Sequence, residues 1–330
     1  MSQPDLVSVI ESAYAVDAPE PEWLTGIAHA ARGELDAGFG VAAWTFDARE
    51  VSRVRVLGTA LAGDDPQVLD RMHQCNAYFE RSARDLRADV LRFGPCQTFS
   101  QVLGEDTLAR QADVQAVLRP IGARDMLGVI GADPTGMGLG VGALLPTPRP
   151  ATRGEVRRWS RIVAHLAAGY RLRRTLAQRP VQAVLSPGGR VEHAEAGAKA
   201  SEAREALKRA ALAVDRARGR LRRENGDEAL ETWQGLVAGR WTLLDQFDSD
   251  GRRFVVARRN DPEAPFPLNL TERERQVLIY RVLGHPLKLI ASELGLGMST
   301  VSAALSRALT KLGADSVADV IRLLLPGEAA

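Results

Sequence analysis

The spacing of apolar residues changes several times along the chain, and each change marks an element. Residues 6–16 and 21–37 carry apolar side chains at helical spacing, with Trp23, Ile27, Ala30, Ala31 and Leu35 on one stripe. Gly38-Phe39-Gly40 breaks that pattern, and residues 41–46 then read as a strand. After a turn at 47–50, residues 51–57 alternate with period two, as a half-buried strand should. Asp64-Asp65-Pro66 opens a helix containing Val68, Leu69, Met72 and Phe79. A less regular stretch with Pro95 and Gly104 follows. Residues 125–131 and 139–145 predict two strands around a turn at 133–138, and Pro146, Pro148 and Pro150 close the region.

Residues 152–178 predict a helix with an apolar stripe of Val156, Trp159, Ile162, Val163, Leu166, Tyr170 and Leu172. Arginines crowd its other side, and a solvated basic face over an apolar one is the expected reading. A DNA contact by that face and a dimer contact through the stripe are the alternatives. Residues 181–185 and 190–192 flank Ser186-Pro187-Gly188-Gly189, a hairpin signal. A long helix is expected from about Ala196 to Arg223, broken at Gly226-Asp227 and followed by a short helix over 228–238. Residues 241–247 and 253–258 then pair across Gly251 as a second hairpin. Pro262, Pro265 and Pro267 mark a linker.

The last stretch is the most specific. Thr271 with Glu274 is a capping box, in which hydroxyl and carboxylate each satisfy the other residue's backbone N–H. It starts a helix with Val277, Leu278 and Val282 on one face, ended near Gly284. Pro286 suits the first turn of a second helix striped by Leu287, Ile290, Ala291 and Leu294. Gly295 to Gly297 make a turn. A third helix runs from about Ser299 to Leu312, with Val301, Leu305, Ala308 and Leu312 inward and Gly313 placed for a left-handed cap. Ser316 and Asp319 open a fourth helix, stopped by Pro326-Gly327.

These residues, together with Arg273, Lys288, Thr300 and Lys311-Leu312-Gly313, resemble the C-terminal helix-turn-helix domain of LuxR-type transcriptional regulators. The resemblance implies that the third helix enters the major groove of DNA while the preceding helix and the helix ends grip phosphates. The implied contacts are Lys288, Ser299, Thr300, Ser302, Ala303, Ser306, Arg307 and Lys311. Arg307 is suited to a guanine edge or a phosphate, and Lys288, Lys311, Ser299 and Thr300 to phosphates. Val320, Ile321 and Leu324 of the fourth helix are the implied dimer contact. Departures from the family pattern are Gly297 for a usual Ser, Ser302 for Lys, Ala304 for His, and Pro286-Leu287 for Ser-Asn. Losing a lysine at 302 should flatten the salt dependence of DNA binding by about one unit.

Upstream, the order of elements in residues 1–150 is similar to a GAF-type sensor domain, and that of 181–259 to a reduced PAS-type module. The expected fold is α+β multidomain: a GAF-like α/β sensor at 1–150, a basic connector helix at 151–180, a small PAS-like α+β module at 181–259, a linker at 260–267 and a four-helix LuxR-type domain at 268–330. The expected function is transcription regulation by a DNA-binding homodimer, with a small-molecule ligand or protein partner acting on the N-terminal domain. The alternatives are a protein-interaction module or anti-regulator with a degenerate helix-turn-helix, and a promoter-reading region of a sigma factor, against which the terminal Lys-Leu-Gly argues.

Composition adds little to that picture and removes several classes. The 330 residues carry a net charge of +2, which hides an asymmetry. Residues 1–150 hold 13 basic and 20 acidic side chains, and residues 151–259 hold 23 and 13. With 39 Arg against four Lys, the excess is read as codon bias and weak evidence about partners. No apolar run is long enough to span a membrane and no signal peptide is evident, so a cytoplasmic protein is expected. Cys75 and Cys96 fit a reduced compartment. There is no phosphate-binding loop, the glycines of 131–142 do not precede a helix, and Asp64-Asp65 does not end a strand, so neither an ATPase nor a receiver domain is expected. No enzymatic constellation, cofactor or metal site is expected. His73, Cys75 and Cys96 are more simply surface and core residues, and the remaining histidines structural.

Overall fold

The computed structural model describes residues 5–49, 55–70, 73–74, 95–110, 115, 118–178, 180–233, 235–237, 240–247, 250–262, 270–312 and 314–324. Cys75, Phe79, most of the linker, the Gly313 cap and Pro326-Gly327 lie outside these residues, as do the side chains of Ile321 and Leu324. The fold is mixed α+β, with two antiparallel five-stranded sheets and a C-terminal set of helices.

The first sheet is built from β1 (Val41–Asp47), β2 (Arg55–Ala62), β3 (Gln97–Thr98), β4 (Asp125–Ala132) and β5 (Met137–Leu145), in the order β2-β1-β5-β4-β3. Every residue of β5 is buried. Its glycines make room for two aromatic rings on the neighbouring strand. Gly138 pairs with Phe46 and Gly140 with Trp44, and a Cβ on either glycine would lie 2.2 or 2.3 Å from the facing ring. One face of the sheet is covered by α2 (Glu20–Leu35) and, beyond the short helices α3 (Phe99–Leu103) and α4 (Glu105–Arg110), by the long helix α5 (Arg153–Thr175), with α1 (Leu6–Ala13) packed against both helices. The other face carries a separate apolar cluster including Phe46, Phe99, Leu118, Ile130 and Leu144.

Helix α5 corrects the expectation of a solvated basic face. Residues 162–172 are buried without a break, so this part of the helix is covered all round, as a central helix must be. A Cβ on Gly131 would meet the Val163 carbonyl at 2.9 Å, and one on Gly169 would meet the Ala13 carbonyl at 2.4 Å, so strand β4 and helix α1 both press against it. Several of its arginines pair within the chain, while Arg153, Arg157 and Arg174 keep an exposed surface. Arg158 pairs with Glu34, Arg157 with Asp227 at 3.3 Å and Arg161 with Glu231 at 2.7 Å. Arg173 donates to the carbonyls of Val16 and Ala18, and Arg171 is buried. The stripe considered for a dimer contact is likewise occupied within the chain, Val156 excepted.

The second sheet contains β6 (Val181–Leu185), β7 (Val191–Ala194), β8 (Leu236–Val237), β9 (Trp241–Phe247) and β10 (Arg253–Arg259), in the order β7-β6-β10-β9-β8. Both expected hairpin regions are present as strands, but the helices between them differ from expectation. The long helix divides into α6 (Ser201–Arg218) and α7 (Arg220–Glu224) at Gly219. The Asn225 side chain accepts from the Glu228 N–H and so starts α8 (Gly226–Thr232) at the position expected to be a break. Residues 236–237, expected as helix, are the edge strand β8. A single apolar core runs from α1, α2 and α5 through α6 and α8 to the second sheet. Arg222 of α7 reinforces this junction by pairing with Asp5 and Glu11 beside α1.

Candidate nucleic-acid interface

The C-terminal helices are α9 (Glu272–Val282), α10 (Leu287–Leu294), α11 (Met298–Leu312) and α12 (Val317–Leu324). The capping box forms: Thr271 Oγ1 accepts from the Glu274 N–H at 3.3 Å, and the Thr271 N–H donates to Glu274 Oε2 at 2.9 Å. Gly295 ends α10 at φ +59°, a left-handed turn that side chains with a Cβ resist. The turn sends α11 off at 106° to α10. Val277, Tyr280, Ile290, Ala291, Leu294, Val301 and Ala304 close the angle from inside. Each large aliphatic in that set contributes roughly 1.5–3 kcal/mol by leaving water.

This packing fixes which side of α11 faces out. Ser299, Thr300, Ser302, Ala303, Ser306, Arg307, Thr310 and Lys311 are exposed, and Lys288 is exposed near the start of α10. Met298 adds an exposed apolar side chain at the start of α11. Ala304 is fully buried between α9, α10 and α11, so the residue at this position cannot mark an altered DNA face, as the sequence suggested. Val320, expected at a dimer contact, is turned inward against Leu270, Leu278 and Ala308.

Glu274 has a part that sequence reasoning did not assign. Its buried carboxylate caps α9 and also receives Lys311 Nζ at 2.7 Å and Arg307 Nε at 3.2 Å. The Lys311 ammonium, then the Thr271 N–H, hold this carboxyl down at about 2. One acid therefore ties the last turns of α11 to the first turn of α9. Arg307 remains 59% exposed beyond this bond, with its outer edge toward solvent. The signal was available in the sequence: the capping carboxylate has two oxygens, and the cap uses only one.

A second face of α10 was also missed. Leu289 and Glu293, one turn apart, point away from the domain's own core. Leu289 joins the large core of the two sheet-bearing regions, and Glu293 is buried beside Arg171. Burial pushes the Glu293 carboxyl up to about 7, and Arg171 opposes that rise. Burial likewise lowers His285, between α9 and α10, to about 4.

Among the described residues no group of three or more His, Cys, Asp or Glu could hold a metal ion. No single helix among them is long and apolar enough to cross a membrane. Cys96 is a buried free thiol.

No curated protein matches the chain. Among solved structures, Escherichia coli SdiA aligns with 85% of this chain and 80% of its own at 11% identity, with a TM-score of 0.22, too low to carry an argument about fold or function. Residues 268–324 match the family of bacterial regulatory proteins named luxR, which coincides with the helices whose geometry is given above. Residues 268–324 are a LuxR-family helix-turn-helix domain.

Proposed function

We propose that the chain is a cytoplasmic transcriptional regulator that binds double-stranded DNA through α10 and α11 as a homodimer and is no enzyme. The observation that carries this reading is the exposed polar face of α11, on a domain that matches a family of regulators. On this reading α11 lies in the major groove, with Ser302, Ala303 and Ser306 toward base edges and Arg307 reaching a guanine or a phosphate. Lys288, Ser299, Thr300 and Lys311 hold the backbone, and Ile321 and Leu324 of α12 join two copies.

The two upstream regions are then a GAF-like sensor and a PAS-like module. The sensor reading is supported by a sheet with helices on one face and an apolar cluster on the other. A cleft of about 590 Å³ beside that cluster, lined by Glu105, Gln115, Arg119, Arg124 and Pro148, offers room for a small polar ligand. The PAS-like reading is supported by a small antiparallel sheet whose two strand pairs are separated in the chain by the helices α6, α7 and α8.

The test is selection of fragmented genomic DNA by the full-length protein at low and moderate salt, with the bound fraction sequenced. A recurring two-fold symmetric site, weakened by Arg307→Ala, is the expected result. Lys288→Ala should weaken binding evenly across sequences and lower the salt slope by about one unit. No retained DNA from a folded protein, with and without cell extract as a ligand source, would favour the protein-interaction reading, for which Ser302 in place of a lysine is the supporting residue.

A further inference from the structure

The outward face of α11 is short of groups that tell one base pair from another. Ser299, Thr300, Ser302 and Ser306 offer hydroxyls, which donate or accept and so suit several bases, and Ala303 offers a single methyl. Lys311 is already engaged, with its Nζ 2.7 Å from Glu274 Oε2. Among the described residues of α11, Arg307 alone carries two parallel N–H donors for one base. Its Nε donates to Glu274 Oε1 at 3.2 Å, and neither Nη atom has a hydrogen-bond partner among the described residues. The acceptor is held firmly. The Glu274 side chain is 3% exposed, and its second oxygen takes the Thr271 N–H at 2.9 Å as well as Lys311.

We propose that Glu274 is a specificity-determining residue: by holding Nε it aims the two Nη groups of Arg307 at O6 and N7 of one guanine in the major groove, so that a buried carboxylate sets a base preference without touching DNA. This rests on the DNA-binding reading given above and narrows it, since Arg307 there serves a guanine or a phosphate. The direction of the tie favours the guanine. With Nε engaged, the guanidinium meets a base end-on, through both Nη groups, and not through its Nε edge. A long side chain tied at Nε has also surrendered part of its rotamer freedom on folding and loses less on binding. A phosphate gains little from such aiming, because a mobile lysine binds it as a point charge.

Glu274→Gln isolates the tie. Glutamine serves at this position of a capping box as glutamate does, so α9 keeps its start. Its one oxygen is then used by the Thr271 N–H, and the amide NH2 faces Arg307 Nε, donor against donor. Arg307→Lys keeps the charge on an exposed side chain and removes the paired donors. The full-length chain would select from a random-sequence duplex pool, and competition between duplexes differing at the selected guanine would follow at low and moderate salt. In wild type we expect guanine preferred at that position by roughly five- to 150-fold. Glu274→Gln should cut this preference by roughly two- to tenfold, with other positions and the salt slope unchanged. Arg307→Lys should abolish it. Heteronuclear spectra without DNA give a second readout: the Arg307 Nε–H, identified by its loss in Arg307→Lys, should exchange with water faster in Glu274→Gln. An undiminished guanine preference in Glu274→Gln would overturn the proposal, as would a loss spread evenly over all positions, which marks a merely structural role. A guanine preference that survives in Arg307→Lys would overturn Arg307 as the reader. If wild type retains no DNA, the DNA-binding reading has failed and the base preference with it, while the spectra still report whether Glu274 holds Nε.

Discussion

In the first sheet all of β5 and nearly all of β4 are buried, whereas in the second β9 is buried over its first four residues and exposed over its last three, and β7 has no buried residue. Yet the strands are laid out in the same sequence of neighbours, β2-β1-β5-β4-β3 in one and β7-β6-β10-β9-β8 in the other. Strand order alone therefore does not settle what a sheet does. In the first, the central strands β1, β5 and β4 are covered on both faces, while the edge strand β2 is largely open. The second uses one end to join the common core and leaves the other in water. Substitutions can push on that difference.

The largest effect should come from filling the glycine row of β5. Gly140→Val puts its Cβ where the half-buried Trp44 ring lies, at 2.3 Å, so the ring over Gly140 and Gly142 has to be displaced. Overpacking of this kind costs about 3 kcal/mol. In the second sheet Gly188, at the β6–β7 turn, meets nothing closer than Ser186 Oγ at 3.8 Å, so Gly188→Ala should stay within about 0.5 kcal/mol of wild type. Thermal unfolding of the two variants side by side measures the contrast. A first sheet that tolerates valine at 140 would be looser than its packing indicates.

Acid should act next, and on the first region. His165 of α5 is buried against Tyr14, whose hydroxyl lies 2.8 Å from its Nδ1. Burial holds this imidazole down to about 3. A base whose folded pKa lies below its unfolded value takes up protons more readily when unfolded, so stability is lost as pH falls from about 6.5 toward 3. His285 adds a loss in the window from 6.5 to about 4. Glu293 acts in the opposite sense: its raised pKa makes the folded state gain as pH falls from about 7 toward 4.5. The junction should thus be nearly indifferent to mild acid while the first region is weakened by it. In a pH series of melting curves, His165→Phe should flatten the acid limb between pH 6 and 4, and Glu293→Gln should steepen it. A flat wild-type profile would contradict the burial of His165.

The sequence made the regular parts of this molecule readable because their signals are local. The strands at 41–46, 125–131, 139–145, 181–185 and 241–247 announce themselves by periodicity and turns, and the Thr271–Glu274 box by spacing alone. What could not be read are the places where a residue answers to a distant partner. Arg157, Arg158 and Arg161 of α5 look unpaired until α2 brings Glu34 and α8 brings Asp227 and Glu231 to them. Ala304 looks like a change in the DNA face until the 106° turn places it inside. Leu289 was the one legible hint of the second face of α10, an aliphatic beside an already complete stripe. The helix division at Gly219 is local and was overlooked because Leu221 continues the apolar pattern across it.

The smallest effect belongs to the free end of the second sheet. Phe247 ends β9 with 61% of its surface in water, in register with Arg253 of β10. An exposed aromatic at a strand end removes little surface from water on folding, so Phe247→Ser should change the stability of the single chain by no more than about 0.5 kcal/mol. The same side chain would matter if the second sheet met another protein, since a protruding aromatic is a common anchor of interfaces. Unfolding measured at two protein concentrations, tenfold apart, separates the cases. A melting temperature equal to wild type and independent of concentration leaves this end of the sheet as plain surface. A wild-type melting temperature that rises with concentration, and a variant that loses the rise, would mean that the second sheet is a covered surface after all, and its contrast with the first would be between two interiors, one closed by the chain itself and the other by a partner.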